Sequence, residues 1–176
     1  MTWTEFLMTT FLTVTEPVGA AELTQGERDT FYQQETMCLA LNVYHEARNQ
    51  GTAGRLAVVS VTYNRVGDDR FPDTVCDVVK QGPHRASWKG TGEMIPVRHK
   101  CHFSWYCDGK SDTPRNDSLF QDIYFLSHQI VSGNIQVLDI TDGATHYHAD
   151  YVNPDWAKTK TKTIEIEDHI FYRWER

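Results

Sequence analysis

Glu46 is the residue in this chain best placed to do acid chemistry. Leu39, Leu41, Val43 and Tyr44 precede it, and Leu56, Val58, Val59, Val61 and Tyr63 follow, in two helix-patterned apolar segments. A carboxyl group where two core-facing helices meet is taken out of water, and burial disfavours its charged form. The aligned carbonyls of a helix C-terminus act in the same direction if the first helix stops near Gly51. Both effects would hold Glu46 protonated nearer to neutral pH, which suits a proton donor. The plain structural alternative is an exposed glutamate near a helix end, paired with Arg48 or Arg55.

Other reactive residue types group less convincingly. His45-Glu46 does not extend to the zinc-protease motif His-Glu-x-x-His, because Asn49 stands where the second histidine would be. His84, His99, Cys101, His102 and Cys107 are all metal-ligand types within one region, but their spacing matches no finger or ribbon. Disulfides with groove-lining histidines fit them better. Cys38, Cys76, Cys101 and Cys107 permit three complete pairings, and the sequence does not choose among these or four buried thiols. Oxidation would suit a periplasmic place of work.

The elements that must position Glu46 are legible from caps and periodicity. Thr24-x-x-Glu27 is a capping box, and the helix it opens runs toward Asn49. On it, Met37, Leu41 and Tyr44 form one stripe beside Leu39, Val43 and Ala47, a broad buried face. Thr52 is expected to cap a second helix over Ala53 to Val66, and Pro72-Asp73 a short one ended by Gly82-Pro83. Residues 82 to 116 are rich in Gly, Pro, His and aromatic residues and read as a long loop forming a wall of a groove. Asn116 or Asp117 caps a helix with Leu119, Ile123, Leu126 and Ile130 on one face. After it, Val137 to Ile140, Thr145 to His148, Thr163 to Ile166 and His169 to Tyr172 alternate like short antiparallel strands.

With 176 residues the chain suits one domain with a proper core. A 40% hydrophobic and 23% charged composition is ordinary for a globular protein, and a net charge of −7 argues against a nucleic-acid partner. No span approaches the roughly 18 apolar residues of a membrane helix. Phe6-Leu7-Met8 and Phe11-Leu12 give the N-terminus an apolar flavour, but Glu5 precedes them and no Lys or Arg does. This reads as an arm rather than a signal peptide.

Tyr44-His45-Glu46-Ala47-Arg48, Gly54 with Ala57-Val58, Asn64-Arg65, the run Phe71 to Cys76, and Cys101-His102-Phe103-Ser104 together resemble the SleB/CwlJ-type cell wall hydrolase family. Thr145 to His148, Pro154 to Trp156 and His169 to Arg173 continue the resemblance, which covers roughly residues 36 to 173. It implies a mostly helical α+β fold, lysozyme- and lytic-transglycosylase-like, with a small antiparallel β element. Residues 1–23 would be an N-terminal arm and 24–176 the catalytic domain.

The implied activity is cleavage of the MurNAc-GlcNAc β-1,4 bond of peptidoglycan, with Glu46 as the catalytic acid. A lytic transglycosylase needs only that carboxylate, because the muramic acid's own C6 hydroxyl attacks. Tyr63, Ser104, His146 and Tyr147 are the expected groove residues that position sugar or acid. Ser104 is expected to hydrogen-bond the substrate or Glu46, whereas Trp105 and Tyr106 read equally as sugar platforms or core. No metal or organic cofactor is implied, and the expected partner is the glycan strand, met by a monomer without stable membrane insertion. Without a convincing signal peptide, the chain looks like a bacteriophage endolysin.

Two departures from the family matter. His102 stands in place of a glutamine, and Asn49-Gln50 replaces a Gly-Glu pair, which removes a second acid there. A hydrolytic mechanism would need its second carboxylate from Asp108, Asp112, Asp142 or Asp150. Two rival functions remain at this stage, a zinc-dependent N-acetylmuramoyl-L-alanine amidase and a non-catalytic wall-binding or virion protein.

Overall fold

The computed structural model describes residues 23–175, so the arm expected at residues 1–23 lies, except for Leu23, outside the described residues. Helix α1 (Gln25–Ala47) is the spine of the molecule, and α2 (Thr52–Val66), α3 (Val75–Val79) and α4 (Asp117–Val131) all pack on it. Their shared core holds Leu39, Val43, Val58 and Val78, all at or near zero exposure, with Ile123 and Ile130 from α4. The β part is a three-stranded antiparallel sheet of β3 (His146–Ala149), β4 (Thr161–Ile166) and β5 (His169–Arg173), in the order β3-β5-β4. Phe171 of β5 joins this sheet to Ala57 and Val61 of α2. The architecture is the mostly helical α+β domain expected.

The Thr24–Glu27 capping box opens α1 in both its parts, and Asn116 caps α4 by accepting from the Leu119 amide. The start of α2 differs from expectation. Gly51, not Thr52, is the N-cap, and it offers no side-chain oxygen. The carboxylate of Glu167, from the turn between β4 and β5, replaces one, accepting from the amides of Gly51 at 2.7 Å and Gly54 at 3.1 Å. An anion at a helix N-terminus satisfies free donors and opposes the helix dipole. The turn from α1 to α2 is tight: a Cβ on Gly54 would lie 2.8 Å from the Gln50 Cβ, so the position favours glycine.

Two other expectations are corrected. Residues 137–140 form no strand. The Asp139 carboxylate accepts from the Thr141 and Gly143 amides, bending the chain into a turn, and the sheet closes with three strands without it. Met37 is 42% exposed rather than buried, because the partners of α1 leave that side of it open. The long 82–116 segment contains a small hairpin, β1 (His84–Ala86) with β2 (Met94–Pro96), and a 3-10 turn at Ser104–Cys107.

The cysteines form two disulfides. Cys38–Cys76 ties α1 to α3, and Cys101–Cys107 closes the short loop that carries His102 to Tyr106. A cross-link spanning 38 residues restricts the unfolded chain and is worth on the order of 2–4 kcal/mol. Among the described residues no helix is long and apolar enough to cross a membrane.

Candidate active site

The end of α1 delivers three consecutive side chains to one cavity of about 620 Å³. Tyr44 Oη accepts from the amides of Arg115 and Asn116, and His45 Nε2 lies 3.0 Å from the Asp112 carbonyl. These contacts hold the 108–116 segment as one wall. The His45 ring also stacks on Trp105, 4.6 Å between centroids, and Trp105 Nε1 donates to Asn42 Oδ1 at 3.0 Å. Asn42 is fully buried and donates in turn to Thr62 of α2, so the Trp105 wall is anchored in the core.

Glu46 lies between these walls, one residue before the helix ends at Ala47. Its Oε2 accepts a 2.7 Å hydrogen bond from Tyr147 Oη of β3. Burial pushes the Glu46 carboxyl above its ordinary range, with the Tyr147 hydrogen bond and the Arg65 charge pulling weakly the other way. The Tyr147 hydroxyl is itself driven well above 10, first by burial and then by Glu46, so it remains a donor. Register explains the placement. Tyr147 pairs with Phe171 on β5, and its ring packs on Phe171 and His169 on the α2 side of the sheet.

Of the expected groove residues, Ser104 and Tyr147 border the cavity with Glu46, whereas Tyr63 and His146 do not. Tyr63 packs in the helical core, where burial and the charge of Glu35 push its hydroxyl up to about 12. His146, one residue from Tyr147, turns to the other face of β3 among Phe71, Trp156 and Trp174. Burial, helped by the Arg65 charge, lowers its imidazole to about 3 and keeps it neutral. Of the four aspartates considered as a second carboxylate, Asp108 and Asp112 border the cavity and Asp142 and Asp150 do not.

Sequence reasoning gave no role to Arg65, His45 or Asn42. Arg65 had a visible signal, since it falls seven residues after Val58 and four after Val61, on the buried stripe of an apolar helix. The metal grouping dissolves, because Cys101 and Cys107 are bonded to each other. Among the described residues no group of three or more His, Cys, Asp or Glu side chains is arranged to hold a metal ion.

A search of family sequence patterns matches residues 49–172, more than two thirds of the chain, to the family described as Cell Wall Hydrolase. The chain belongs to that family. As a cell wall hydrolase it is an enzyme that degrades peptidoglycan. The match begins three residues after Glu46.

Two solved structures are similar to this cell wall hydrolase. One is the catalytic domain of the Bacillus cereus SleB protein, 24% identical, covering 80% of this chain and 91% of that one, with a TM-score of 0.52. The other is the catalytic domain of the germination-specific lytic transglycosylase SleB from Bacillus anthracis, 24% identical, covering 80% and 95%, with a TM-score of 0.55. Both share the fold. No curated protein sequence matches the chain.

Proposed function

We propose that this enzyme cleaves the β-1,4 bond between N-acetylmuramic acid and N-acetylglucosamine as a lytic transglycosylase, with Glu46 as its single acid and base. The observation that carries the reading is a half-buried Glu46 whose Oε2 accepts from Tyr147 while the carboxyl borders a cavity of about 620 Å³, a size suited to a small ligand. A carboxyl raised by burial is protonated at the start of the reaction and donates to the glycosidic oxygen. The C–O bond breaks with its electrons on the leaving oxygen. The muramic C6 hydroxyl then bonds to the anomeric carbon, and its proton returns to the Glu46 carboxylate. Ser104 and Trp105, on the wall closed by the Cys101–Cys107 disulfide, would orient the sugars. The Bacillus anthracis relative, described as a lytic transglycosylase, supports the same choice of chemistry.

The test is mass spectrometry of soluble products from purified peptidoglycan treated with the wild-type protein and with Glu46→Gln. Muropeptides ending in 1,6-anhydromuramic acid, absent with the variant, establish the proposal. Asp108 and Asp112 on the same cavity favour a second reading, hydrolysis with two carboxylates, and reducing muramic acid ends would establish that instead. Identical products from both proteins would remove Glu46 from the mechanism.

Action on the bacterial wall as a phage endolysin belongs to this proposal. Two disulfides support a workplace outside the reducing cytoplasm. Lysis of cells expressing the protein only when a membrane-permeabilising protein is co-expressed would bear that role out.

A further inference from the structure

Arg65 is a charged side chain held where charge is costly. It is 6% exposed, and its guanidinium sits over the rings of Phe103 at 4.7 Å and Phe71 at 5.4 Å. Its Nε donates to the Thr145 carbonyl at 2.7 Å, which fixes the plane of the group between α2 and β3. Its Nη1 is buried and has no hydrogen-bond partner. An unsatisfied buried donor on a cation costs more than a neutral one, and the tie to Thr145 needs no charge.

Arg65 borders the same cavity as Glu46 and interacts with it electrostatically. Burial lowers the guanidinium to about 10, so it stays charged at neutral pH. The other cations that border the cavity, Arg48, Lys110 and Arg115, are exposed to solvent, whereas Arg65 is buried. Tyr147 on β3 is neutral, and burial followed by the Arg65 charge itself pushes both His102 on the wall and His146 on β3 toward the neutral form. His169 on β5, against the Tyr147 ring, is likewise lowered by burial.

We propose that Arg65 is the electrostatic partner of the reacting Glu46, a fixed and under-bonded cation that compensates the carboxylate formed when the proton passes to the glycosidic oxygen. The resting enzyme holds a neutral Glu46 and an uncompensated Arg65, and the match between them appears only as the bond breaks. Stabilisation confined to the transition state raises kcat rather than binding. Tyr147 supplies the accompanying neutral hydrogen bond. Arg65 acts through Glu46 and is therefore a positioning residue. This inference rests on the reading of Glu46 as the acid.

The test compares wild type, Arg65→Gln, Arg65→Lys and Glu46→Gln on solubilised glycan strands, measuring kcat and KM against pH. In parallel, the Glu46 carboxyl is titrated by 13C NMR of glutamate-labelled protein. Arg65→Gln is expected to lose about 100-fold or more in kcat with KM within about twofold, and to move both the alkaline limb and the Glu46 titration upward. The direction follows from removing a charge that lowers the Glu46 carboxyl. Arg65→Lys, which keeps the charge, is expected to hold both titrations near wild type and to recover part of the rate.

If Arg65→Gln does not fold, Arg65→Lys decides, since a raised KM with kcat preserved would overturn the proposal in favour of direct substrate binding. An unmoved Glu46 titration in a folded Arg65→Gln would overturn it too, leaving Glu46 as the acid. An active Glu46→Gln would sink the reading beneath it.

Discussion

Helix α1 carries two glutamates eleven residues apart, the buried Glu35 and the half-buried Glu46, and they have opposite fates. Burial raises the carboxyl of each. Glu35, 6% exposed, accepts from the backbone amides of Val75 at 2.6 Å and Cys76 at 3.1 Å, so it closes the N-terminus of α3 as a capping side chain from another helix would. Glu46 accepts one bond from a neutral hydroxyl and borders the cavity. A carboxylate with its oxygens committed to backbone donors is structure. One with a single neutral donor and open access is chemistry held ready.

The largest effect that separates the two should be on turnover. Glu46→Gln is expected to reduce kcat by about 10³–10⁴-fold, whereas Glu35→Gln, assayed below its melting temperature, should stay within about threefold of wild type. Equal losses in two folded variants would break the contrast.

Stability should reverse the order. Glu35→Gln sets an NH2 against one of the two backbone donors and is expected to cost about 1–3 kcal/mol in chemical denaturation. Glu46→Gln should gain stability at neutral pH and little at pH 4. The sign follows from linkage: the folded Glu46 keeps its proton to a higher pH than the unfolded chain does, so the wild type loses stability as pH rises from the ordinary carboxyl value through the raised one. A variant with no ionising group there does not.

Tyr147→Phe sharpens the contrast by removing the one donor on Glu46. It is expected to lower kcat about 10- to 100-fold and to shift the alkaline limb of the pH–rate profile upward, because that hydrogen bond lowers the carboxyl. An unchanged limb would mean that Tyr147 only fills space.

The smallest effect concerns the opposite face of β3. His146 is neutral in the fold down to about pH 3 against an ordinary value of 6.5, so unfolding takes up a proton below about 6.5. Its contribution is complete above that value and is lost as pH falls toward 3. His146→Gln should therefore flatten acid denaturation over that window, read as the pH dependence of Tm, without altering the alkaline limb of activity.

Much of this molecule was legible in order along the chain. Capping chemistry marked the starts of α1 and α4, apolar periodicity marked their buried faces, and the position between two apolar helices marked Glu46, the acid we propose. These features are local, and backbone sterics, caps and the 3.6-residue repeat act within a few residues of each other. The failures were non-local. The α2 cap comes from Glu167, more than 110 residues away, and no reading of Gly51-Thr52 contains it. Residues 137–140 alternate like a strand, yet a strand exists only where an edge accepts it. On β3 the two-residue repeat of a strand puts Tyr147 and His146 on opposite faces, but the choice of face belonged to the pairing of β3 with β5 and to Phe171 beneath it.

The sequence by itself determined the helices, the single-domain α+β class, and the glutamate at the end of the first helix. Only the tertiary structure decided which cysteines pair, which face of β3 meets Glu46, and that an arginine on the buried stripe of α2 shares its cavity. The physical reason is that a pKa, a disulfide and a strand face are each set by what packs alongside in space, and those neighbours come from elements far apart in the chain.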